Sequence, residues 1–337
     1  MMKKISKILI LMLVVAGAVF LAGCASQDGD GTEEAADVST LNIGYQPSTH
    51  QLSYMTAREK GWWEEDLASY GVEEVNEYEF PTGAPEMQAM LAGDLDVAYV
   101  GAAPFVLALS NGLDAKVVAG VNSQGSDLVL RPEFSYESPE DLKGLDIATF
   151  PPGTIQDTIL RNWLKDNGID PDKDVDIKPM GPGDAISAIS AGQIDAAFLP
   201  HPAPTLIEQE DNGRSVVPSG EMLPNHSCCV LVVSGNLIRN HPDMVTEIVE
   251  THIKATDYNL DNQDEAAQIF ADKQGWDVNV VRTSIDEWDG QWIADPAIIA
   301  DSTVDYAQVQ YELGYVNEEF TQEDIFDMSF YEMAITE

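Results

Sequence analysis

One pattern of signals occurs twice in this chain, about a hundred residues apart, and it limits the fold more than any other feature. Residues 41–50 read LNIGYQPSTH and residues 145–154 read LDIATFPPGT. Residues 91–100 read LAGDLDVAYV and residues 190–199 read SAGQIDAAFL. The signals between these stretches follow the same order. A helical run (TAREKGWWEEDLASYG, then TILRNWLKDNG) gives way to a short strand (NEYEF, then VDIKP). A Gly/Pro turn (PTGAPE, then MGPGDA), a small-residue helix and the Ala-Gly-x-x-Asp strand complete each block. The unit is a βαβαβ block used twice, and two similar α/β lobes facing each other predict a cleft with a ligand in it.

The α/β reading rests on periodicity. LNIGY and DVAYV are short, apolar and bounded by turn residues, as buried strands are. EMQAMLAG and AISAISAG carry apolar residues at helical spacing. A strand that returns parallel to its neighbour needs a crossover of this kind. Ligands of such sheets sit beyond the carboxyl ends of the strands. That rule places QPSTH, PTGAP and GAAP of the first block, and FPPGT, GPGD and PHPAP of the second, around the predicted cleft.

The amino terminus reads as a targeting segment. Lys3, Lys4 and Lys7 precede an apolar run from Ile8 to Phe20, and Leu-Ala-Gly-Cys closes it at residues 21–24. A charged start, an apolar middle and small residues at the end are the marks of a secretory signal. The following residues, 25–39, are polar and acidic without apolar periodicity, as a soluble tether is. Roughly 300 residues remain, enough for two lobes with their own cores.

Charge excludes some partners. The chain carries 17 Lys and Arg against 58 Asp and Glu, a formal charge of -41. Nucleic-acid phosphates would be repelled, and anionic lipid attracts basic segments instead. Since 44% of residues are apolar and fall in regular runs, the charge describes an acidic folded surface rather than a disordered chain. Such a surface suits high salt, which screens self-repulsion, and points to a halophilic source.

Catalysis finds little support. Cys228 and Cys229 are adjacent, and neighbours on a strand point to opposite faces. They are expected to be packed thiols, or one of them lines the cleft. Asn225-His-Ser-Cys228 sets a thiol near an imidazole, but strand neighbours rarely face each other productively. No P-loop, Rossmann glycine pattern or G-x-S-x-G occurs.

Several longer segments carry a family resemblance. IGYQPSTHQLSYMTAREKGWWEE, with its Glu59-Lys60-Gly61-Trp62-Trp63 turn, resembles the opening of solute-binding proteins of the nitrate/sulfonate/taurine, NMT1-like group of ABC importers. FPTGAPEMQAMLAGDLDVAYVGAAPFVLALSNG, SPEDLKGLDIATFPPGT and GQIDAAFLPHPAPTLIEQEDNGRSVVPSGEMLPNHSCCVLVVSGNLI resemble the segments that follow in that group. The LAGC box resembles the lipoprotein cleavage box, which makes Cys24 the lipidated residue. The resemblance implies a type II periplasmic-binding-protein fold. Its two βαβ lobes are joined by two crossings, and a C-terminal helical tail lies on lobe one. The expected order is a signal and lipidated cysteine over 1–24, the tether over 25–39, lobe one over 40–124, lobe two over 125–228, and the return to lobe one with the terminal helices over 229–337. It further implies a monomeric, non-enzymatic receptor without cofactor, held at the outer membrane face and delivering a small polar solute to a permease and its ATPase. A thiamine-pyrimidine precursor protein or enzyme on the same scaffold, and a sensory module, are the competing functions.

Ligand contacts are expected from both lobes. Gln46, Ser48, Thr49 and His50 lie in the first strand-to-helix loop, Gly83 in the next, and Gly101, Ala102 and Ala103 after the DVAYV strand. Ser126 stands at the first crossing, Gly153 and Thr154 in the matching loop of lobe two, and His201, His226 and Ser227 near the return. Ser and Thr at these places are also good helix caps. Three histidines in cleft loops could bind a transition metal. They lack a close His-x-His or His-x-x-His pair, so hydrogen-bond donation is expected and a metal is not.

Overall fold

The short apolar runs of the repeat do form strands, and a computed structural model describes them over residues 38–336. The signal segment, Cys24 and the tether through residue 37 lie outside the described residues. Along the chain come β1 (Thr40–Tyr45), β2 (Glu74–Glu79), β3 (Val97–Gly101) and β4 (Ala115–Ser123). β5 (Ser126–Leu130), β6 (Asp146–Thr149), β7 (Asp176–Pro179), β8 (Ala196–Pro200) and β9 (Arg214–Pro218) follow. β10 (Ser227–Ser234) and β11 (Gln291–Trp292) complete the set.

These strands make two sheets, ordered β11-β4-β10-β3-β1-β2 and β7-β6-β8-β5-β9. In each sheet the three repeat strands pair in parallel, with the first between the second and the third. The strand beyond the third runs antiparallel to it, β10 in one sheet and β5 in the other. The duplication in sequence is therefore a duplication of topology. The chain passes between sheets at Gln124–Gly125 and returns through residues 219–226.

The Ala-Gly-x-x-Asp element does the same structural work in both lobes. Gly93 and Gly192 end their helices at φ +83° and +68°, values that glycine adopts without steric cost. Three residues on, Asp96 Oδ2 accepts the N–H of Asn42 at 2.9 Å, and Asp195 Oδ2 accepts the N–H of Asp146 at 3.0 Å. Each carboxylate thus ties the third repeat strand to the amino-terminal part of the first. That end lies opposite the loops that receive ligand.

Lobe one is packed around an aromatic cluster. Tyr45, Tyr54, Trp63 and Tyr99 are fully buried, with ring centroids 4.5 Å apart for Tyr45–Tyr54 and 5.3 Å for Tyr54–Tyr99. Such pairs contribute about 0.5–1.5 kcal/mol each beyond their area burial. The tail adds a polar seam to this core. Pro242 opens the helix Pro242–Asp261, which buries Met244, Val245, Ile248, Val249, His252 and Ala255 along one face. From the same face Thr256 Oγ1 meets Ser53 Oγ at 2.9 Å, and Asn259 Oδ1 accepts from Thr56 Oγ1 at 2.7 Å.

The tail also reaches lobe two. Gln310 donates Nε2 to the carbonyl of Ala103 at 3.0 Å and to that of Gly153 at 3.1 Å, one in each lobe. Tyr315 donates its hydroxyl to Asp157 at 2.6 Å.

Candidate functional site

A cavity of about 230 Å³ lies between the lobes at the carboxyl ends of the parallel strands. The repeat supplies its walls in matched pairs. Gln46 and Phe150 hold the same place in the two blocks, as do His50 and Thr154, Gly83 and Pro182, Gly101 and Pro200, and Pro104 and Ala203; all ten line the cavity. Ser48, Gln51, Gln156 and His201 add polar groups, while Phe270, Gln274 and Trp276 come from the tail. No Lys, Arg, Asp or Glu is among the lining residues.

Hydrogen bonds order the polar wall. Gln46 donates its N–H to Gln51 Oε1 at 2.6 Å and its Nε2 to Glu86 Oε2 at 2.7 Å. Glu86 is fully buried, and burial holds its carboxyl well above the usual carboxylate range. Gln51 directs Nε2 to Cys229 Sγ at 3.5 Å. In lobe two, Gln156 donates to Ser126 Oγ at 3.1 Å, and Thr154 donates its hydroxyl to the Pro151 carbonyl at 2.7 Å. With that hydrogen committed, Thr154 presents a lone pair to the cavity in this conformation. Three helices of at least two turns have their first residue in the cavity wall, Gly83–Ala92, Ile155–Asp166 and Pro182–Ser190. Their first-turn N–H groups lack intrahelical acceptors and carry the positive end of the helix dipole.

The histidines divide into three kinds. His201 lines the cavity; Nδ1 is 2.9 Å from Ser284 Oγ, and Asp127 Oδ2 lies 3.4 Å from Nε2 without the alignment of a hydrogen bond. His50 lines the cavity with Nε2 2.7 Å from the Gly125 carbonyl. A carbonyl only accepts, so that nitrogen carries the hydrogen and Nδ1 is left with a lone pair in the neutral ring. His226 is buried away from the cavity wall. Its Nδ1 meets the Leu223 carbonyl at 2.7 Å, and burial pushes its pKa down to about 4.

The structure gathers Gln46, Ser48, His50, Gly83, Gly101, Thr154 and His201 of the sequence-predicted set around one cavity. Thr49, Ala102, Ala103, Ser126, Gly153, His226 and Ser227 stand behind that wall. Thr49 donates its N–H to the His201 carbonyl at 3.3 Å, a main-chain contact between the lobes. Ser126 supports Gln156.

Both cysteines are buried free thiols, as expected, but their orientation needs correction. Strand alternation should turn Cys228 and Cys229 to opposite faces, yet both line the cavity, with their sulfurs 3.9 Å apart. The reason is an irregularity in register: β10 pairs Ser227 with Ser123 but Cys229 with Asn122, which leaves Cys228 as the extra residue of a bulge. Cys229 is the more acidic thiol. The hydrogen bond from Cys228 favours its thiolate, and contacts from His50 and Gln51 act in the same direction against burial.

Two duplicated α/β lobes, linked by two crossings and meeting over one cavity at their strand ends, define the type II periplasmic-binding-protein fold. The chain belongs to the NMT1-like family, whose profile matches residues 34–272. It is 26% identical to a Bacillus subtilis protein named for binding aliphatic sulfonates, over 97% of each chain. It is 32% identical to a binding protein of Brucella abortus, over 70% of this chain and 72% of that one. The periplasmic nitrate-binding protein of Synechocystis PCC 6803 superposes with a TM-score of 0.76 at 15% identity, covering 89% of each chain. Each of these relatives is named as a binding protein, in keeping with the nitrate/sulfonate group that the sequence resembles.

Proposed function

We propose that this protein is the extracytoplasmic receptor of an ABC importer and captures a small monoanion or zwitterion, of the sulfonate, taurine or nitrate kind, between its lobes. The observation that carries this reading is the uncharged cavity. An anion is held there by helix N-termini, His201 and amide side chains rather than by Lys or Arg. The cavity volume of about 230 Å³ suits a compact solute. A multiply charged phosphate would meet no counter-charge in an acidic protein. The relatives named for sulfonate and nitrate support the same class.

In this reading residues 40–124 and 229–337 form lobe one and 125–228 form lobe two. Ligand touching both lobes favours the closed state, a population shift that presents the loaded receptor to a permease and its ATPase. The receptor performs no chemistry. Cys24 carries the lipid anchor; two acyl chains suffice for stable attachment where one is marginal. Cys24→Ser should leave the precursor unprocessed or release it from the membrane fraction.

Titration calorimetry in chelator with alkanesulfonates, taurine, nitrate, bicarbonate and inorganic phosphate tests the solute class. A sulfonate, taurine or nitrate should bind best, and His201→Ala should weaken it. Tightest binding of phosphate or a polyamine, or an unchanged affinity in His201→Ala, would overturn the assignment.

A further inference from the structure

The cavity wall holds three side chains whose chemistry capture of an anion does not use. His50 Nδ1 lies 3.4 Å from Cys228 Sγ, the sulfurs of Cys228 and Cys229 are 3.9 Å apart, and all three atoms fall within 4.8 Å of one another. The three residues are buried, with at most 6% of any exposed, yet each lines the cavity. A tetrahedral zinc has Zn–S bonds of about 2.3 Å and Zn–N bonds of about 2.0 Å, which gives S–S edges of about 3.8 Å and S–N edges of about 3.5 Å. Two sides of the observed triangle already have nearly those lengths.

The surroundings orient these atoms as ligands. Because Nε2–H of His50 donates to the Gly125 carbonyl, the Nδ1 lone pair is fixed on the side of Cys228. A carbonyl behind the imidazole is the usual partner of a metal-bound histidine. Gln51 offers an N–H to Cys229 Sγ, and Asn122 Oδ1 accepts the N–H of Cys229 at 3.0 Å, which steadies the bulge. Two thiols and an imidazole select soft or borderline cations over magnesium and calcium, which take oxygen donors.

We propose that His50 Nδ1, Cys228 Sγ and Cys229 Sγ form a site for a thiophilic divalent cation of the zinc or cadmium class. The fourth coordination position is filled from the cavity, by water or by the solute. Each sulfur that ligates releases its proton to solvent, so binding of one cation liberates up to two protons. The site requires neither a particular solute nor an importer.

The test uses the full chain carrying Cys24→Ser, in which Cys228 and Cys229 are the remaining thiols. Cadmium titrated into the reduced protein should produce an ultraviolet thiolate-to-cadmium band that saturates at one ion per chain, with proton release; magnesium should produce neither. Zinc should compete for the same site. Cys229→Ser and His50→Gln should each weaken zinc, read against a chromophoric chelator, by more than the roughly 10–100-fold cost of outer-shell changes. Absence of the band in the reduced protein overturns the proposal whatever the variants do. So does unchanged affinity in both variants. Solute titration in chelator reads the anion assignment separately.

Discussion

Ile155 of the second lobe stands where a side chain on Gly101 of the first would have to go: a β-carbon built on Gly101 lies 3.0 Å from Ile155 Cγ1. The backbone at Gly101 has φ -61°, which alanine adopts freely, so Gly101→Ala meets a steric limit between the lobes rather than backbone strain. Pro104, at 3.2 Å, must also give slightly. The closed state should therefore lose ground. Solute affinity is expected to fall about tenfold, equivalent to ~1.4 kcal/mol. Solution scattering should show a larger radius of gyration, and adding Ile155→Ala, which removes the Cγ1 in contact, should recover part of the affinity. Wild-type affinity and radius in the single variant would show that the lobes part without cost.

Acid should destabilise the protein through His252. Its Nε2 lies 2.7 Å from the Gly120 carbonyl and its Nδ1 3.1 Å from the Tyr99 hydroxyl, and burial pushes its pKa down to about 4. An unfolded histidine titrates near 6.5, so below that pH the unfolded chain holds a proton that the folded one refuses. Stability from this group is complete above about 6.5 and declines as pH falls toward 4, by about 3 kcal/mol in all. Melting curves of wild type and His252→Gln across that range should differ in slope, with the variant flatter. Equal slopes would contradict the assignment.

Glu86 acts in the opposite direction. Its folded pKa is raised by burial, and the unfolded carboxyl ionises above about 4.3. The folded state therefore retains a proton that the unfolded chain releases, and stability falls as pH rises beyond that point. Glu86→Gln keeps the shape without the proton. It should melt higher than wild type at pH 8, with the difference shrinking toward pH 4; parallel curves would refute a raised Glu86 carboxyl.

Salt should stabilise the fold. With a formal charge of -41, self-repulsion is long-ranged in dilute buffer, where the Debye length is about 30 Å at 0.01 M against about 3 Å at 1 M. Many basic side chains are already in ion pairs, among them Arg58–Glu64, Lys273–Glu77 and Arg282–Asp264, so they relieve little of the excess. The melting temperature should rise with potassium chloride through that range. A flat profile would mean that the carboxylates are too well spread and hydrated to repel.

The repeat made most of the architecture legible. Strand runs bounded by turns gave both sheets, and the carboxyl-end loops hold 16 of the 25 residues that line the cavity, whereas half of the individually named site residues stand behind it. Equivalence between the blocks extends further along the wall, since Phe150 takes the place of Gln46 and Pro182 that of Gly83. The cysteines were misread for a local reason. Alternation is a rule for regular strands, and nothing in SCCVLVV marks the extra residue that turns both thiols inward. Gln274 and Trp276 escaped because the tail pattern reports only which helix faces are apolar, not where the end of a helix comes to rest.

Those tail residues close the cavity from outside the duplicated blocks. Phe270, Gln274 and Trp276 belong to neither sheet, and replacing them disturbs no strand pairing. The scaffold can therefore hold its crossings and its helix ends constant while this part of the cavity wall is rewritten. A receptor built this way acquires a new cargo most readily through its last third, where the geometry inherited from doubling exerts no hold.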